Sequence, residues 1–108
     1  VYLNSAGGGI NVPRFGNYIL GQWNYAVYVW NGSTKTITCY LNNANVGSLS
    51  NTSMTGSFES GSTLQIGRRP AGGGQFPGNI GAVHMYNRAL SAAEVQQNFN
   101  ALRTRYGI

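Results

Sequence analysis

The chain of 108 residues contains no aspartate, and its only carboxylate side chains are Glu59 and Glu94. That scarcity removes whole classes of chemistry. Calcium takes roughly six to eight oxygen ligands, normally including several carboxylates, so no metal or other cofactor is expected. Glycan hydrolysis uses two carboxyl groups about 5–9.5 Å apart, and a loop residue such as Glu59 is not expected to converge with Glu94 at a helix start. The lone His84 has no aspartate to orient it, which leaves nucleophilic catalysis without its base; the chain is expected not to be an enzyme. Cys39 is the single cysteine, so no internal disulfide can form. Its place in an alternating run predicts a small buried hydrophobe rather than a reactive thiol. Apolar runs of the ~20 residues that span a membrane are missing, as are leader and lipidation patterns. No membrane insertion is expected. Charge of either sign is also thin, at 8% of residues against roughly 25% in ordinary soluble domains.

Glycine and asparagine fill the gap, with 16 and 13 residues respectively. Both tolerate positive φ and suit short strands joined by tight turns, whereas long surface helices would carry more Lys and Glu. Hydrophobic residues make up 42% of the chain, enough for a core. The composition predicts one mostly β domain. The net charge of +5 comes from Arg14, Lys35, Arg68, Arg69, Arg88, Arg103 and Arg105. Only Arg68 and Arg69 are adjacent, which disfavours nucleic acid as a partner; a polyanionic glycan or a negative virion or cell surface explains the charge as well.

Residues 1–20 predict short irregular strands around a Gly7-Gly8-Gly9 turn. Residues 22–30 alternate with period two: Trp23, Tyr25, Val27 and Val29 on one face, Asn24, Ala26, Tyr28 and Trp30 on the other. Asn31-Gly32 then signals a tight turn, and residues 35–41 alternate again with Ile37, Cys39 and Leu41 together. A hairpin results. Residues 42–57 predict one short strand between loops, residues 63–67 a strand, residues 68–78 a Gly/Pro loop, and residues 79–86 a central strand with apolar groups on both faces. The C-terminal segment changes period. Ser91 and Glu94 form a capping box, and Val95, Phe99, Leu102 and Tyr106 recur at helical spacing. Arg103 and Arg105 suit the last turn, and Gly107 suits its end. Because little sheet is available to cover that stripe, it is expected to pack on further strands, from the rest of the polypeptide or from neighbouring copies.

The run Gly61-Ser62-Thr63-Leu64-Gln65-Ile66-Gly67-Arg68, followed by Phe76-Pro77-Gly78-Asn79-Ile80-Gly81-Ala82-Val83-His84-Met85-Tyr86-Asn87-Arg88-Ala89-Leu90-Ser91 and Glu94, resembles the end of a laminin-G/pentraxin-like domain. That family belongs to the concanavalin A-like lectin/glucanase superfamily. Its pattern is a strand "LxIG" before "FxGxIxxVxxYNRALSxxE". Gln22-Trp23-Asn24-Tyr25-Ala26-Val27 is similar to its "W-x-x-V/A" strand, and Tyr40-Leu41-Asn42-Asn43 to its "LYVNG" strand, with Asn43 where glycine is usual. The likeness runs from about residue 22 to residue 108 and is most specific in the last 40 or so. It implies an all-β, concanavalin-like jelly-roll sandwich, whole or partial, closed by one C-terminal helix. Residues 1–108 are read as a single laminin-G-like module, the C-terminal part of a longer polypeptide.

The ending from Asn98 to Ile108 resembles domains at the C-termini of tailed-phage and other viral structural proteins, and similar ends occur in secreted marine bacterial proteins. The resemblance implies a non-catalytic, structural and adhesive lectin-like module on a virion surface, as a capsid decoration or a tail or fibre component. Its partners would be other virion or cell-surface proteins, further copies or the rest of its own polypeptide, and surface glycans. The alternative is an extracellular carbohydrate-binding module of a secreted bacterial enzyme or adhesin. A glycan needs an aromatic platform for the sugar's apolar face and planar amides for its hydroxyls. Tyr28 and Trp30 are the candidates, joined by Tyr40 and Asn42 if the hairpin loop shifts the register by one. Arg68 and Arg69 beside the glycine loop form a second candidate surface. The competing reading packs Tyr28 and Trp30 on the second sheet or the closing helix, since large aromatics dominate cores and interfaces.

Overall fold

A computed structural model of the chain describes residues 2–5, 8–11, 17–50, 66–68 and 74–108. Strands β1 (Tyr2–Ser5) and β2 (Gly8–Asn11) pair antiparallel with Ser5 opposite Gly8. Gly8 and Gly9 belong to a strand instead of the expected triple-glycine turn, and Gly7 lies outside the described residues. Strands β3 (Ala26–Asn31), β4 (Thr36–Leu41) and β5 (Ala44–Ser50) form an antiparallel meander in that order. One helix, α1 (Ala92–Tyr106), follows.

The alternation in β4 builds the core. Ile37, Cys39 and Leu41 are 0%, 2% and 9% exposed, while the intervening Thr36, Thr38 and Tyr40 turn the other way. Directly opposed residues share a face in an antiparallel ladder. Tyr28 lies opposite Cys39, Trp30 opposite Ile37, and Leu49 opposite Ile37. Accordingly Tyr28, Trp30, Val46 and Leu49 pack on Ile37 and Cys39. A bulge at Cys39/Tyr40 adjusts the β4–β5 register. The reverse face is knitted by hydroxyls: Thr36 Oγ1 and Ser50 Oγ are 3.0 Å apart, and Ser48 Oγ donates to Thr38 Oγ1 at 3.2 Å.

The β3–β4 turn differs from the two-residue turn that Asn31-Gly32 predicts. Asn31 pairs with Thr36, so residues 32–35 form the loop. The Asn31 side chain explains the difference, because its Oδ1 accepts from the backbone N–H of Ser33 at 3.0 Å and of Thr34 at 3.2 Å. Lys35 closes the loop with φ 51°. An even lengthening leaves the shared faces unchanged. The β4–β5 turn is the two-residue one, with Leu41 opposite Ala44. Asn42 and Asn43 have φ values of 48° and 71°, the positive pair that a type I′ turn requires. Asn43 thus takes, as asparagine, the conformation usually given to glycine.

Helix α1 is capped as its sequence predicts. Ser91 Oγ accepts from the Glu94 backbone N–H at 3.3 Å, and Glu94 Oε2 accepts from the Ser91 N–H at 2.8 Å. Gly107 ends it at φ 67° with its N–H on the Arg103 carbonyl. Val95 is fully buried and Phe99 is 9% exposed. The chain itself covers that part of the stripe. Tyr25 lies against Phe99 with ring centroids 5.8 Å apart, and Trp23 against Tyr106 at 5.0 Å.

Residues 79–86 are not a strand; they run without a ladder partner among the described residues. A segment apolar on both faces needs neighbours on both edges to become a central strand, and here Ile80, Val83, Met85 and Tyr86 stay 48–69% exposed. The strand expected at residues 63–67 lies largely outside the described residues. A three-stranded sheet and a helix are thus formed, and a complete two-sheet jelly roll is not formed among the described residues.

Candidate functional site

The structure separates the side chains that the sequence groups as a glycan platform. Tyr28 and Trp30 face the Ile37–Cys39 core and are half-buried, so they support the sheet from within. Burial, helped by the Tyr18 hydroxyl 3.2 Å from its own, pushes the Tyr28 phenol well above its ordinary range. Tyr40 stands on the opposite face, across from Val27 and Asn45. It does not join Trp30, because the longer hairpin loop shifts the ladder by an even number of residues. Asn42 is occupied structurally: its Oδ1 accepts from the Tyr25 N–H at 2.8 Å, its own N–H donates to the Tyr25 carbonyl at 2.8 Å, and its Nδ2 donates to Asn24 Oδ1 at 3.3 Å. Arg68 is exposed beside Gly67, whose carbonyl accepts from the Phe76 N–H at 2.7 Å. Arg69 lies outside the described residues. Burial raises the Cys39 thiol to about 11, so it is a packed hydrophobe at neutral pH.

A different set of residues does converge. The ladder of β3 begins at Ala26, which leaves Trp23 just beyond the sheet with 38% of its surface exposed. One part of its indole meets the Tyr106 ring at an interplanar angle of 56°. Tyr106 in turn lies on the backbone of Gly81, where an added Cβ would stand 2.6 Å from the ring. Asn24 fixes the approach to Trp23. Its Oδ1 accepts from the Ile19 N–H at 3.1 Å, and its Nδ2 donates to the carbonyls of Ile19 at 2.8 Å and Gln22 at 3.1 Å. Gly21, at φ 78°, completes that turn. Gly21, Gln22, Trp23 and Asn79 line an open depression of about 260 Å³.

The alternation of residues 22–30 assigns Trp23 to the strand and hides this corner. The signal that could have found it is the Gly21-Gln22-Trp23-Asn24 order, a turn glycine and two amides around an aromatic ring at a strand's start.

The described carboxylate is engaged. Arg88 donates through both terminal nitrogens to Glu94, Nη1 to Oε2 at 2.9 Å and Nη2 to Oε1 at 2.7 Å, while the Ser91 N–H also binds Oε2. The Arg88 hydrogen bonds, with those of Ser91, hold the Glu94 carboxyl at about 2. Glu59 lies outside the described residues, and His84 is exposed in the unpaired segment. Among the described residues no three His, Cys or Glu side chains gather as metal ligands would.

The family described as the concanavalin A-like lectin/glucanases superfamily matches residues 1–96. Among solved structures, the chain is similar to an S-layer domain-containing protein (residues 221–444) from Clostridium thermocellum. The two are 23% identical with a TM-score of 0.52, over 85% of this chain and 46% of that one. The chain therefore spans less than half of that structure, and the likeness is one of fold. Among curated proteins, none matches.

Proposed function

The chain belongs to the concanavalin A-like lectin/glucanases superfamily, and from that premise we propose that it is a non-catalytic, lectin-like module presenting a binding surface on the outside of a cell or particle. The observation that supports the non-catalytic half is the state of Glu94. Hydrolysis of a glycosidic bond by the two-carboxylate route needs one carboxyl group held protonated and a second ionised beside the same bond. Glu94 is held at about 2 by Arg88 and Ser91, the wrong direction for an acid, and Glu59 is the only other carboxylate side chain in the sequence.

The setting we propose is a cell exterior. The structural neighbour carries an S-layer domain in its description, and this observation favours a cell exterior over a virion. The exposed apolar groups of residues 76–86 support an assembled state in which further β-structure covers them, since exposed patches of this kind mark interaction surfaces. Antibodies against the chain applied to intact producing cells test the setting, with surface labelling before permeabilisation as the expected result. Reducing-sugar release from a polysaccharide panel tests the chemistry. The proposal expects none above background from the chain, and release that disappears in Glu94→Gln would contradict it.

A further inference from the structure

We propose that the Trp23 corner is a saccharide subsite for one neutral pyranose ring, with Trp23 as the platform and Gln22 and Asn79 as the hydroxyl readers. The inference deepens the lectin-like reading and rests on it. A pyranose presents a face of C–H bonds and an edge of hydroxyls, so its receptor must offer an exposed aromatic ring beside groups that both donate and accept. Trp23 offers the ring, partly exposed and held by Tyr106. Gln22 and Asn79 offer side-chain amides, each with donor and acceptor atoms at one end. Among the described residues neither amide makes a side-chain hydrogen bond, and only the backbone carbonyl of Gln22 is used, by Asn24.

Size and charge narrow the ligand. The depression of about 260 Å³ falls below the roughly 300–1,000 Å³ of pockets that enclose drug-sized ligands, so it meets a single ring from one side. No ionisable side chain lines it. The Arg105 guanidinium is engaged elsewhere, over the Tyr106 ring at 5.7 Å from its centroid. A neutral sugar fits that lining, and a phosphate, nucleotide or cation does not. The corner is also pre-organised: Asn24 fixes the turn before Trp23, and Gly81 lets Tyr106 seat against the backbone. Less ordering remains to be done when a ligand arrives.

The test uses the full chain labelled with nitrogen-15, whose two tryptophans, Trp23 and Trp30, give two indole N–H resonances. Methyl β-D-glucopyranoside, methyl β-D-galactopyranoside, N-acetyl-D-glucosamine and, as the charged arm, D-glucuronate are titrated in turn, and a glycan array surveys longer ligands. The expected result is a saturable shift of the Trp23 indole with a neutral sugar, a still Trp30 indole and no preference for glucuronate. Gln22→Ala and Asn79→Ala should each weaken binding about fivefold, the factor of one net hydrogen bond. Trp23→Ala should weaken it roughly thirtyfold, as loss of an aromatic anchor does. The two amide variants remove exposed groups without bonds and so test the site even if Trp23→Ala disturbs the fold. Binding that moves Trp30 alone, or that survives unchanged in Gln22→Ala and Asn79→Ala, would overturn the subsite while leaving the lectin-like reading standing. No binding to any titrated sugar or array glycan would overturn both.

Discussion

Glu94 serves two neighbours at once: it accepts both Arg88 terminal nitrogens, and it closes the capping box on the Ser91 N–H. Its carboxyl is depressed from 4.5 to about 2. A group whose folded value is lowered stabilises the fold above its unfolded value and loses that contribution as pH falls through the folded one. Helix α1 should therefore keep its full cap above about pH 4.5 and lose this part of it progressively down to about pH 2. Circular dichroism of helicity against pH checks this, and Glu94→Gln should flatten that part of the curve. The other half of the box is tested by Ser91→Ala, expected to destabilise by about 1 kcal/mol in urea unfolding. Gly81 is held by contact rather than by charge. Gly81→Ala would put a methyl group 2.6 Å from Tyr106, and unfolding should report a loss of about 1–3 kcal/mol as the ring is forced away.

Elements reveal which sequence signals are self-sufficient. Helix α1 is legible because its start, stripe and end are each encoded locally by Ser91, Val95 and Phe99, and Gly107. The hairpin faces are legible because period-two alternation fixes Ile37 and Cys39 together, whatever the even loop length between the strands. The length itself is not, because Asn31 spends its side chain on the Ser33 and Thr34 amides, a choice that Asn-Gly does not announce. Trp23 is misassigned for a related reason: alternation continues past Ala26, but the ladder does not, since Asn42 and Asn24 take over the backbone there. Residues 79–86 read as a strand from their own pattern, yet a strand is a property of its neighbours too. The β4–β5 turn offers a test at this scale. Asn43 sits at φ 71°, a region that costs side chains roughly 1–2 kcal/mol and asparagine less. Asn43→Gly should raise the denaturation midpoint, by up to about 1 kcal/mol in stability, whereas Asn43→Val should lower it.

On the scale of the molecule, the inner stripe is covered and the outer segment is not. Phe99 is 9% exposed and rests on Tyr25, while Phe76, Ile80, Val83 and Met85 are 48–69% exposed. Truncating the two groups should therefore have separable effects. Phe99→Ser should cost about 3 kcal/mol or more in folding, and paired Val83→Ser and Met85→Ser should reduce association in light scattering while leaving the melting midpoint nearly unchanged. In the function we propose, the sheet-plus-helix arrangement is a scaffold that displays a surface. The claim that this surface binds a glycan without turning it over is tested most directly by native mass spectrometry of the full chain held for hours with a pool of neutral oligosaccharides. The account predicts protein–ligand adducts whose released sugars keep their original masses. Sugars shortened by hydrolysis, or the absence of any adduct across the pool, would contradict it.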